Sequence, residues 1–229
     1  MNKQNRKMCG RAGVLAGLAV AAIGLSTMLN RSSSEQPRSD KESIGARENP
    51  QPNDENRMVI FAAYTARFEG RRNRVYDPNP NDGRAEPTIG VGHYMDRGDS
   101  RETFARVLPR VDFDSVYDGD LALTISQIDT LFINDLRAYV QRTRNLAPQF
   151  DNFPVAVQTA LVDMAYRGDL GDSPRMRSLL NDGRIREAAN EYINRREYRD
   201  AERNGMRGLR VRMDSNRQRL LDYAQELEN

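Results

Sequence analysis

One stretch, FPVAVQTALVDMAYRGDLG at residues 153–171, restricts the possible folds more than any other. Up to Tyr166 it is apolar on most sides, as expected of a central helix. A helix that is apolar all round must be surrounded by other elements. Pro154 suits a place near a helix N-terminus, and Gly168 a helix end. Tyr166 and Gly168 therefore read as packing and helix-end residues. The chain is expected to build a helical body around this segment.

The neighbours supply the covering helices. In LTISQIDTLFINDLRAYVQRT, residues Ile125, Ile128, Leu131, Phe132, Leu136 and Val140 are expected along one face. Thr124 and Gln127 have the spacing of a capping box. RIREAANEYINRREY is amphipathic again, and MVIFAAYTARFEG reads as a helix ending near Gly70. Between these helices, residues 71–94 combine β-branched residues with the turn formers DPNPNDG, the composition of a small hairpin or sheet. The expected class is α+β, predominantly helical.

Upstream, the chain changes character twice. Residues 1–11 carry four positive charges and no negative one, and residues 12–29 are eighteen residues without a charge. A basic flank before an apolar run is the pattern of an export signal or signal anchor. Eighteen residues just suffice to span a bilayer, but five alanines and three glycines make the span marginal. Gly24-Leu25-Ser26 is the best small-residue cleavage candidate, and a poor one. Residues 30–57 contain no aromatic and one large aliphatic residue, too little to offset the entropy of ordering, so a tether is expected there. The expected organisation is 1–29 signal or anchor, 30–57 linker and 58–229 folded domain.

Composition removes several chemistries. The single cysteine, Cys9, precludes an intrachain disulfide and a cysteine-based metal site. With one histidine, His93, any zinc site or Ser-His-Asp triad would depend on that residue alone. Nine arginines between Arg195 and Arg219 give a basic C-terminal region, although the net charge is only +2. They read first as a solvated helix surface, and otherwise as an attraction to a polyanion. They lack the interleaved aromatics that would favour nucleic-acid binding.

The remaining signal is acidic. FEG at residues 68–70 is followed by basic RRNR, then VYD, a turn and TIGVGH at residues 88–93. This order resembles the phage-type lysozyme family, best known from the T-even phages, and the helices downstream occur in that family's order over roughly Met58 to Leu221. The resemblance implies a lysozyme-like fold, in which a small β-hairpin or sheet lobe and a helical lobe flank a cleft. It implies a metal-free, cofactor-free and monomeric muramidase that hydrolyses the β-1,4 bond between N-acetylmuramic acid and N-acetylglucosamine in peptidoglycan. With the N-terminal pattern, it implies an exported endolysin held on the bacterial inner membrane through residues 12–29, or released into the periplasm. A lytic transglycosylase and a non-catalytic wall-binding protein are the alternatives.

Residue by residue, Glu69 matches the family's general acid and Thr88 the threonine beside the attacking water. The second carboxylate departs from the pattern, which places eight residues after the glutamate and five before the threonine. Here seven residues separate Glu69 from Asp77, and five separate Asp82 from Thr88. Asp77 requires a bulge or the Pro78 turn to aim it, since one residue of slip reverses a strand side chain. Asp82-Gly83 is also ordinary turn chemistry; both aspartates stay candidates. His93 is expected to be structural and paired to an acid, Asp163 to line the cleft, and Arg210 to contact Glu69.

Overall fold

The computed structural model describes residues 52–78, 80 and 83–229. The expected anchor and nearly all of the expected linker lie outside them, as does Asp82. Among the described residues no helix is long and apolar enough to cross a membrane.

The architecture is α+β and mostly helical. Helix α1, Asp54–Ala66, leads into a three-stranded antiparallel sheet of β1 (Arg72–Tyr76), β2 (Thr88–Gly90) and β3 (His93–Tyr94), ordered as in the sequence. Then follow α2 (Ser100–Val107), α3 (Phe113–Tyr117), α4 (Ile125–Leu146), α5 (Val155–Arg167), α6 (Pro174–Asn181), α7 (Ile185–Tyr192), α8 (Arg196–Asp200) and α9 (Arg207–Glu228).

Helix α5 is the centre of the body. Every residue from Val157 to Tyr166 is buried, against α1, α4 and α9. It ends at Gly168, whose φ of 94° is open to glycine at little cost. Helix α4 begins with the expected capping box, Thr124 and Gln127 satisfying each other's backbone N–H. Its buried stripe holds Ile128, Leu131, Phe132, Leu136 and Val140, but Ile125 is 67% exposed. Ile125 occupies the first position of the helix, one turn before the stripe meets its neighbours.

Two boundaries also differ from expectation. Helix α1 starts at Asp54, inside the segment expected to be linker, because Asn53 Oδ1 caps it by accepting from the Asn56 N–H at 2.9 Å. Arg57, also assigned to the linker, donates to Gln158 Oε1 at 3.4 Å and pairs with Asp54. The helix then stops at Ala66, before Gly70, so that residues 67–71 form the connection to β1.

The sheet is fastened to the helical body through β2. Ile89 is fully buried, and Gly90 lies at a φ of 65° where an added Cβ would stand 3.3 Å from Ile128 Cγ2. Glycine at position 90 thus allows both the backbone twist and the close approach to α4.

Candidate functional site

Three groups of polar side chains hold the described sequence candidates other than Arg210. The first centres on Glu69, in the connection between α1 and β1. Its side chain is only 9% exposed, and Arg212 donates from Nη1 to Glu69 Oε1 at 2.7 Å. The same guanidinium donates from Nε and Nη2 to Asp163 at 2.9 and 2.8 Å. Asn216 Nδ2 adds a third bond to Asp163 at 2.7 Å, and Tyr64 donates to Asn216 Oδ1 at 2.8 Å. Arg212 also lies 5.4 Å over the Phe68 ring. Burial opposes the Arg212 charge, but Asp163 and Glu69 together outweigh it and hold its pKa above the ordinary value.

Sequence placed two of these residues differently. Arg210 does not meet Glu69. It is 40% exposed, reaches Glu202 at 3.3 Å and lies over Tyr198. Two residues along a helix turn a side chain by about 200°, so Arg212 occupies the face that Arg210 vacates. Asp163 does not line an open surface either. It is fully buried and serves as a counter-charge for Arg212. Asn216, one turn beyond Arg212, was not singled out at all. The available signal was the acid itself: a carboxylate within an apolar helix needs buried donors, and an i, i+4 Arg and Asn pair supplies them.

The second group is a row across the sheet. Thr88 pairs with Tyr76 of β1 and with Tyr94 of β3. It is 4% exposed, and its Oγ1 donates to the Glu86 carbonyl at 2.9 Å. With that proton committed, the hydroxyl can still accept from a water. Asp77 is half-buried and stands one residue past Tyr76, between the strand end and Pro78. The pairing is irregular before it: four steps on β1, from Arg72 to Tyr76, face two on β2, from Gly90 to Thr88. The two extra residues on β1 are an even number, so Tyr76 keeps the face it shares with Thr88, and the irregularity by itself does not aim Asp77.

The third group surrounds His93, which is 2% exposed. Its Nδ1 contacts Asp135 Oδ2 at 2.7 Å and its Nε2 contacts Ser100 Oγ at 2.8 Å. Arg97 Nη2 pairs with the other Asp135 oxygen at 2.9 Å. His93 is thus paired to an acid, as expected, and joins β3 to α4 and α2.

Among the described residues, five of the nine arginines from Arg195 to Arg219 form ion pairs with carboxylates; two of them, Arg196 and Arg203, lie at the exposed surface, and Arg210 pairs with Glu202 and Asp214. Arg195 pairs with Asp169 and Glu197, Arg196 and Arg203 with Asp200, and Arg212 with Asp163 and Glu69. Only part of this region is the solvated surface that composition suggests.

No protein-family model matches the chain, and no curated protein matches it. The functional reading therefore rests on the motif and on these three groups.

Proposed function

We propose that the chain is a peptidoglycan muramidase with a lysozyme-like fold. The observation that carries the reading is the clamped, nearly buried Glu69 in the connection before a sheet whose central strand begins TIGVGH. An isolated surface glutamate would not be held by a buried guanidinium that is itself fixed by a second carboxylate. Such a clamp defines where the Glu69 carboxyl points, which is the first requirement of a general acid.

In the reaction, Glu69 gives its proton to the glycosidic oxygen as the C–O bond breaks. Thr88 holds a water by accepting from it. That water attacks the anomeric carbon from the opposite face, and its proton passes to the second carboxylate, Asp77 or Asp82. The sugar configuration inverts, and inversion needs room for the water, with carboxyl groups roughly 6.5–9.5 Å apart. Residues 12–29 would tether the enzyme to the inner membrane, with the wall within reach of the tether.

The test is mass analysis of muropeptides released from peptidoglycan by the full-length chain, beside Glu69→Gln, Asp77→Asn and Asp82→Asn. Reducing N-acetylmuramic acid ends that disappear with Glu69→Gln and with one aspartate variant are expected. Anhydro ends would make the protein a lytic transglycosylase, and no product from a folded chain would leave a wall-binding role.

A further inference from the structure

Thr88 has an aromatic neighbour on each side. Cross-strand partners in antiparallel sheets point to the same face, with Cβ atoms about 4.5–5.5 Å apart. Tyr76, Thr88 and Tyr94 therefore form one row across all three strands, roughly 10 Å long at the usual strand spacing. The next pair, Ile89 and His93, is 0% and 2% exposed and faces the helical body. The row lies on the opposite face.

Its two ends differ in character. At the β1 end, the Arg72 guanidinium lies 5.8 Å over Tyr76. At the β3 end, Tyr94 is 40% exposed, one of seven large hydrophobic side chains left open to solvent among the described residues. Burial first, then Asp96 and Glu86, push its phenol pKa up, so it stays a neutral ring with an O–H. Asp96 is fixed in turn by the Tyr117 hydroxyl at 2.8 Å.

An exposed ring beside carboxylates suits an occupant with a flat apolar face and hydroxyl or amide donors at its rim. A sugar pyranose has both. We propose that Tyr94 is a substrate-binding residue whose exposed ring stacks on a neutral sugar of the glycan beside Thr88. The assignment rests on the muramidase reading and adds to it a sugar position at the β3 end of the row.

The experiment uses the full-length Glu69→Gln chain, so that binding is read without turnover, with the neutral tetramer of N-acetylglucosamine as probe in isothermal titration. Replacing the ring, Tyr94→Ala, weakens binding by about tenfold, while Tyr94→Phe stays within about twofold of the parent. Tyr94→Phe keeps the parent's melting temperature, whereas Tyr94→Ala lowers it by a few degrees and stays folded at the titration temperature; melting is measured alongside. Equal affinity of the Ala variant and the parent overturns the Tyr94 assignment and leaves the muramidase reading standing. So does a parent that ignores the tetramer while the unmutated chain still releases muropeptides. If the unmutated chain neither binds the tetramer nor releases products, both readings fall together.

Discussion

Arg212 and Glu69, 143 residues apart in the chain, are joined by a 2.7 Å hydrogen bond that closes the connection after α1 onto the last helix. The guanidinium is not shared evenly. Asp163 takes two of its donors and is fully buried, whereas Glu69 takes one and keeps 9% exposure. Asp163 is thus the main anchor of Arg212, and Arg212 is the arm that fixes Glu69. The candidate acid is oriented from the core outward, through two residues that have no need to touch substrate.

This hierarchy makes Arg212 a large stability determinant. Arg212→Leu strands the Asp163 carboxylate in the core, and a loss of about 3–5 kcal/mol is expected from urea denaturation. Adding Asp163→Leu in the same chain removes the stranded charge and restores much of the loss. Arg210→Leu, on the solvent side of the same helix, leaves the denaturation midpoint where it was. A midpoint that falls with Arg210→Leu and not with Arg212→Leu would reverse the assignment.

On the proposed muramidase reading, Glu69 separates activity from stability. In Glu69→Gln, the amide oxygen can still accept from Arg212 Nη1, although a neutral acceptor is weaker than a charged one. The expected change in unfolding free energy is therefore small, about 1 kcal/mol or less. Loss of a general acid lowers turnover by roughly 10²–10⁴-fold. Calorimetry and the rate of wall clearing, measured on one preparation, should show this contrast.

The same contrast explains what could be read from the sequence. Helix α5 was legible because ten consecutive residues are buried, leaving no choice of face. The capping box of α4 was legible because its signal is local. The face of α9 was not. RGLRVRMDSNRQR offers arginines on all sides, and the cue that favours Arg212, its i, i+4 spacing to Asn216 on the face of Leu209, Met213 and Leu220, is weak among so many charges until Asp163 is seen against it. The start of α1 was hidden for a similar reason, since Asn53 is one polar residue in a polar run until a helix follows it. The irregular pairing that precedes Asp77 depends on strand register, which spacing in one chain does not specify.

Gly90 offers a test of how the sheet is seated. Gly90 and Gly168 both have positive φ, 65° and 94°, but an added Cβ meets Ile128 at 3.3 Å in the first case and nothing within 4 Å in the second. Gly168→Ala should cost about 1–2 kcal/mol from backbone strain alone. Gly90→Ala, at a φ nearer the left-handed minimum, bears no more backbone strain but adds the tight approach to Ile128, so any excess loss over Gly168→Ala reports that contact. Equal losses would mean that Ile128 yields readily and that the close approach of β2 to α4 contributes little.

Alkaline pH should loosen the C-terminal half through Tyr192. This phenol is fully buried and donates to Asp169 Oδ2 at 2.9 Å. Burial, then the Asp169 charge, raises its pKa well above the ordinary value, and Tyr64 is raised too, by burial and then Asp163. An unfolded phenol loses its proton near pH 10. Below that pH both states keep the proton and the contribution to stability is fully present. Above it the unfolded state ionises while the folded state does not, so stability declines as pH rises from about 10 toward the raised folded value. Tyr192→Phe removes one ionising group from that balance. It should be less stable than the parent at pH 8, by roughly 1–2 kcal/mol for the lost hydrogen bond to Asp169. Between pH 10 and pH 11, however, its stability should fall less steeply. Urea denaturation at intervals from pH 8 to pH 11 measures both quantities, and an unchanged slope in the Phe variant would exclude Tyr192 as a source of the alkaline loss.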